Sequence, residues 1–177
     1  MIALLVLSLL VPNRWLFLQA DAAHGVRAEI RTSRLAYVSV GGVQLLDIVQ
    51  VGTRNGRLFA AWGNGIPNGE GSSYTEKDLG PTSGWHRFRV RLIHGIWRLA
   101  VDGKVRLRIP DTFRHWRIRS AQAAVESETG EPMSGRIRDA RTYRHGWRLP
   151  TWTMHGYHAG STRFTFGADW LTVGGNA

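Results

Sequence analysis

Trp85-His86-Arg87-Phe88-Arg89-Val90-Arg91-Leu92, then Gly95, Ile96-Trp97-Arg98-Leu99-Ala100-Val101, Asp102-Gly103 and Lys104-Val105-Arg106-Leu107-Arg108-Ile109, is the stretch that decides the fold. In its first run large apolar residues alternate with basic ones at period two, the pattern of a strand with one face in a core and the other in water. Gly95 turns the chain, and Asp102-Gly103 supplies the positive φ angles that a two-residue hairpin requires. The third run puts Val105, Leu107 and Ile109 on one face and Lys104, Arg106 and Arg108 on the other, and Pro110 ends it.

Outward from this meander, β-rich runs recur upstream at Val26 to Arg31, Leu35 to Val40, Val43 to Val51 and Leu58 to Trp62. Downstream they recur at Trp116 to Glu126, Gly135 to Tyr143 and Arg163 to Phe166. Turn residues separate the runs, and no segment after residue 25 carries a 3.6-residue apolar period. The pattern predicts an all-β domain, an antiparallel sandwich or barrel. With 177 residues, 43% hydrophobic and 20% charged, the chain suits one folded domain and excludes a disordered one. The stretch from Gly63 to Gly84 is the longest irregular segment and is expected to be a loop suited to binding.

Met1 to Leu10 is an apolar run too short to span a membrane and of the length of a signal-peptide core, so no transmembrane segment is expected. Ala20-Asp21-Ala22 offers small residues for cleavage. The expected division is a signal peptide over 1–22 and one β-sandwich domain over 23–177, in a secreted monomer. Asn13-Arg14 interrupts the apolar run, and the competing reading is a buried first strand.

The absence of cysteine removes disulfides, thiolate metal sites and cysteine nucleophiles. The formal charge of +10 comes almost wholly from arginine, since Lys77 and Lys104 are the only lysines. Such a charge attracts any polyanion. No helix-turn-helix period, zinc spacing or RNP-like strand accompanies it, so specific nucleic-acid recognition is not expected. Arg87, Arg89, Arg91, Lys104, Arg106 and Arg108 form either a solvated sheet face or a basic stripe for acidic polymers. Gly63, Gly65 and Gly69 have the wrong spacing for a phosphate loop, and no helix follows them. His155 and His158 lack a third ligand, so no metal and no cofactor are expected.

On a strand, Ile118, Ser120, Gln122, Ala124 and Glu126 share one face, with Gln122 and Glu126 about 13 Å apart along it. Gln50 likewise falls on a face with Gln44, Leu46 and Ile48. If the two faces line one concavity, Gln50 and Glu126 meet across it. Otherwise they are structural or solvated polar residues.

Tyr37 to Gly42, Ile48-Val49-Gln50-Val51-Gly52, Phe59-Ala60-Ala61-Trp62 and Ser120 to Glu126 together resemble the strand series of the glutamic-peptidase superfamily, the eqolisins and neprosin-type peptidases. The resemblance implies a jelly-roll β-sandwich of the concanavalin-like lectin/glucanase type. It also implies that Glu126, Gln50 and Gln122 are the catalytic positions and that Tyr37, Trp62 and Asn64 bind substrate. Gln122 stands where the fungal strand carries a first acid, and Asn64 replaces an acid after the Ala-Trp motif. In the implied chemistry a carboxylate activates water and a glutamine amide stabilises the oxyanion during peptide hydrolysis at acid pH. The alternative is a non-catalytic carbohydrate- or cell-wall-binding module on the same fold, with Trp147, Trp152 and Tyr157 or rings of the Gly63 to Gly84 loop as stacking platforms. The expected substrate is thus a peptide or a polysaccharide. A glycosidase is a third reading, in which Glu126 and Glu128 share a face but Ser127 stands between them.

Overall fold

The computed structural model describes residues 14–21, 23–32, 34–41, 47–64, 74–111, 120–127, 133–157 and 163–174. One sheet has seven strands, in the order β13 (Thr153–Tyr157), β1 (Arg14–Ala20), β10 (Ser120–Ser127), β3 (Leu35–Gly41), β4 (Asp47–Arg54), β5 (Arg57–Asn64) and β6 (Thr75–Pro81). The other has eight: β14 (Phe164–Phe166), β15 (Leu171–Val173), β11 (Gly135–Tyr143), β2 (Gly25–Arg31), β7 (Trp85–Ile93), β8 (Ile96–Val101) and β9 (Lys104–Pro110), with β12 (Trp147–Arg148) on β11. All the pairings are antiparallel, and the chain passes repeatedly from one sheet to the other. The protein is an all-β antiparallel sandwich, as the period-two runs predict, and of the jelly-roll type that the resemblance implies.

Alternation fills the space between the sheets. From the eight-stranded side come Val26, Ala28, Ile30, Phe88, Val90, Trp97, Leu99 and Val101; from the other, Leu16, Leu18, Ala36, Val38, Val40, Val49, Val51, Ala123 and Val125. Trp97 is the largest side chain buried completely, and its indole N–H reaches Asp111 Oδ1 at 2.9 Å, so the ring is enclosed without orphaning its donor. Asn55-Gly56, His94-Gly95 and Asp102-Gly103 form the two-residue turns of the hairpins, with φ from 49° to 81° at these positions.

The structure departs from the sequence expectations in three places. Arg14–Ala20, assigned to a leader ending at residue 22, is strand β1, paired on one side with β10 and on the other with β13. Its Leu16 and Leu18 belong to the core, so the sandwich includes strand residues well before 23; Met1 to Leu10 lies outside the described residues. Within the expected Gly63 to Gly84 loop, Thr75–Pro81 is edge strand β6. Its Thr75, Glu76, Lys77 and Asp78 are all exposed, and this is why no apolar alternation marked it. In β9 a register shift at Leu99/Ala100 sets Val105 opposite Ala100 and Lys104 opposite Val101. That bulge moves Val105 to the outer face and takes Lys104 out of the expected basic row. Trp116 to Arg119, the expected start of β10, lies outside the described residues.

Two stability measurements check this architecture. A chain of residues 23–177 is expected to lose cooperative urea unfolding, whereas 14–177 keeps it, because removing β1 strips two neighbours of their partner. In Gly52→Ala the added Cβ would stand 2.1 Å from the Ala36 carbonyl oxygen and 2.6 Å from Tyr37 Cβ. Overpacking against backbone is expected to lower stability by about 1–3 kcal/mol or more, read as a lower urea midpoint.

Candidate functional site

The face of the seven-stranded sheet turned away from the other sheet carries an unusual concentration of polar groups. Directly opposed residues in antiparallel strands share a face, and the register sets Gln19 opposite Gln122, Gln122 opposite Ser39, and Ser39 opposite Gln50. Four polar side chains thus cross β1, β10, β3 and β4 in one line. Ser39, Gln122 and Gln50 are buried, at 1%, 5% and 6% exposure. Ser39 Oγ donates to Gln122 Oε1 at 3.4 Å, and Gln122 Nε2 donates to Gln19 Oε1 at 3.5 Å. Gln50 Nε2 donates to the Tyr74 hydroxyl at 3.1 Å. Contacts near 3.5 Å are weak, and each amide offers two donors and two acceptor lone pairs, so these bonds engage only part of the row's capacity.

The next row on the same face is aromatic. His155, Phe17, Ala124, Tyr37, Gly52 and Phe59 stand opposite one another across six strands. Phe17 and His155 stack with centroids 5.4 Å apart. Tyr37, Phe59, Leu35, Ala61 and Ala124 form a second, smaller apolar cluster, against which Phe17 and Tyr74 pack. The Tyr37 hydroxyl donates a short hydrogen bond to Glu126 Oε1. Burial, followed by the Glu126 charge, holds the Tyr37 hydroxyl well above the usual tyrosine range. Tyr74 is pushed up to about 12 by burial and then by the charge of Glu76.

The structure puts Gln50, Gln122, Glu126 and Tyr37 on one face but does not bring Gln50 to Glu126. Glu126 stands opposite Leu35, whereas Gln50 stands opposite Ser39. From that register the two are offset by about 13 Å along the strands and about 10 Å across them. Each is held by a different tyrosine. Trp62 stands opposite Val49 and packs against the main core, on the other side of the sheet from Gln50. Asn64 ends β5 opposite Asp47; its side chain, and those of Glu128 and His158, lie outside the described residues. Sequence reasoning missed Gln19, and it weighed Tyr74 only as a ring of the Gly63 to Gly84 loop, without its place beside Gln50. Gln19 ends the alternating run Phe17-Leu18-Gln19, which was assigned to the leader, and Tyr74 adjoins a strand without apolar alternation.

Two of the rings weighed as stacking platforms are already engaged. Trp147 meets Tyr143 edge-on at 5.3 Å with the Arg27 guanidinium over its ring at 5.1 Å, and Trp152 packs against the core with its Nε1 3.4 Å from the Ala140 carbonyl oxygen. The side chain of Tyr157 lies outside the described residues. Among the described residues no group of three or more His, Asp or Glu side chains is placed to hold a metal ion, and no helix is long and apolar enough to cross a membrane.

No family model matches the chain, and no curated protein matches it. Its similarities are to solved structures, and they concern the fold alone. The catalytic domain of an endo-1,3-beta-glucanase (laminarinase) from Thermotoga petrophila aligns with a TM-score of 0.46 at 8% identity, covering 87% of this chain and 64% of that one. An endo-beta-1,3-glucanase from Pyrococcus furiosus gives 0.46 at 11%, covering 89% and 65%. Domains LG4-5 of the mouse laminin alpha1 chain give 0.40 at 15%, covering 70% and 41%. The chain therefore spans less than two-thirds of the length of each of these structures. The glutamic-peptidase part of the sequence resemblance draws no support from them.

The buried tyrosines make alkaline stability a readout of this face. Their folded pKa values lie above the ordinary 10.0, so the folded state keeps protons that the unfolded chain releases. The resulting stability is complete below about pH 10 and is lost as the pH rises toward the folded values, by at most about 1.4 kcal/mol per pH unit for each tyrosine. The urea midpoint is expected to fall above pH 10, and less steeply in Tyr37→Phe. An equal slope in the variant would place the effect elsewhere.

Proposed function

We propose that the chain is a non-catalytic carbohydrate-binding β-sandwich module whose ligand lies across β1, β10, β3 and β4 on the outer face of the seven-stranded sheet. The observation that carries this reading is the in-register line Gln19, Gln122, Ser39, Gln50. Amides and hydroxyls both donate and accept, which suits the paired hydroxyls of a sugar. Phe17, stacked on exposed His155 in the neighbouring row, adds an apolar ring surface of the kind that packs on a sugar's C–H face.

The acids of this face among the described residues suit binding without cleavage. Glycoside hydrolysis uses two carboxyl groups about 5–9.5 Å apart flanking the bond. On β10 the residues sharing a face with Glu126 are Ala124, Gln122 and Ser120, and Glu76 across the sheet is engaged by Arg54 at 2.7 Å. Peptide hydrolysis by the implied pair asks Glu126 and Gln50 to act on one water, and their register sets them too far apart. The secreted location expected from the apolar start of the chain belongs with this reading, since it would bring the module to extracellular polysaccharide.

Affinity electrophoresis through gels containing soluble neutral β-glucans tests the proposal, with assays for new reducing ends and for casein cleavage at acid pH. The expected result is retardation of the native protein, at least tenfold weaker binding in Gln122→Leu and Gln50→Leu, and no cleavage of either polymer. Release of reducing ends or peptides that disappears in Glu126→Gln would overturn it.

A further inference from the structure

The outer face of the eight-stranded sheet has the opposite chemistry. Arg91, Arg98 and Arg108 stand directly opposite one another across β7, β8 and β9, and Arg27 and Arg89 stand opposite one another in the adjacent row. The acids near them are already engaged. Glu29 is held by Arg87 and by Arg138 Nε at 2.8 Å; burial works against its ionisation, but these hydrogen bonds outweigh it and keep its carboxyl below the usual range. Asp139 pairs with Arg27 and Arg141, Asp169 with Arg141, and Asp102 with His86.

Arg89, Arg98 and Arg108 are left without a carboxylate among the described residues. The Nε atoms of Arg27, Arg91 and Arg98 are buried with no hydrogen-bond acceptor. Burial, and then the charges of Arg91, Arg27 and Arg98, push the Arg89 guanidinium below its ordinary value. This part of the sheet gathers guanidinium groups faster than the described acids match them.

We propose that this arginine face binds a polysaccharide carrying carboxylate or sulfate groups, with Arg89, Arg98 and Arg108 as its principal contacts. The planar guanidinium fork presents paired N–H donors to either oxyanion, which a lysine-rich face would not. The rings beside the patch argue against single-stranded nucleic acid, whose bases need free aromatic platforms. Arg91 covers Tyr143 at 3.8 Å and Arg27 covers Trp147 at 5.1 Å. What remains is recognition through repeated negative charge. This inference is independent of the neutral-sugar reading, since it concerns the other sheet and other residues.

Isothermal titration with heparin, polygalacturonate, dextran and single-stranded DNA, each in 50 mM and 500 mM salt, tests it. The full chain is expected to bind heparin or polygalacturonate, the sulfate and carboxylate arms, in preference to DNA, and to lose that binding at the higher salt as exposed charge pairing does. Arg89→Gln/Arg98→Gln is expected to weaken binding at least tenfold. Lys77→Gln/Arg163→Gln, which removes the same charge elsewhere, should change it less than threefold. Arg108→Gln, on the edge strand, gives a second variant should the double one fold poorly, and it too should weaken binding. Equal losses from both double variants would reduce the effect to net charge and overturn the proposal. Tighter binding of DNA, or dextran binding sensitive to Arg89 and Arg98, would overturn it as well.

Discussion

Ser39 faces Gln122 on one side and Gln50 on the other, and the arrangement of the seven-stranded sheet depends on that register. A slip of one residue in β3 would turn Val38 and Val40 out of the core and carry Ser39 and Tyr37 into it, so apolar burial fixes the polar line as firmly as it fixes the core. Gly52 reinforces the choice, because it alone lets β4 pass close to the Ala36 carbonyl and the base of the Tyr37 side chain. The polar groups need no mutual attraction to be aligned. They are placed by the packing of their neighbours on the opposite face.

The two outer faces show how one sandwich can hold two chemistries. On one side a buried row of neutral amides and hydroxyls lies beside aromatic rings, with Glu126 and the Arg54–Glu76 pair at its flanks. On the other they are guanidinium groups, several of them in direct cross-strand opposition. Like charges placed directly opposite one another destabilise a sheet, and the described acids reach only some of these arginines. Arg91 and Arg27 lower their exposure by lying on Tyr143 and Trp147, which spreads their charge over ring faces.

The strands and turns of the meander from Trp85 to Ile109 were legible, because period-two alternation and Asp102-Gly103 are local signals. Arg87, Arg89 and Arg91 could be assigned a common face on the same grounds. Lys104 could not be removed from that face in advance, since a bulge is set by pairing and leaves no mark in alternation. β1 was obscured by its own composition: an apolar strand close behind an apolar start reads as a leader until its partners are known. β6 was obscured by the opposite property, being polar throughout. Gln122 and Glu126 could be assigned a common face from alternation alone, yet whether Gln50 and Tyr37 join them, and which stand near each other, is a matter of inter-strand register. That is why Gln50 and Glu126 could be imagined as a pair.

The position of β1 bears on how the molecule is made. Its partners, β10 and β13, are encoded more than a hundred residues later, at Ser120–Ser127 and Thr153–Tyr157. During synthesis the first strand therefore waits, with Leu16 and Leu18 uncovered, until most of the polypeptide has left the ribosome. Topologies of such long contact order fold slowly and expose unpaired edges on the way. A nascent chain of this design would gain from a chaperone that shields Arg14–Ala20 until the later strands arrive.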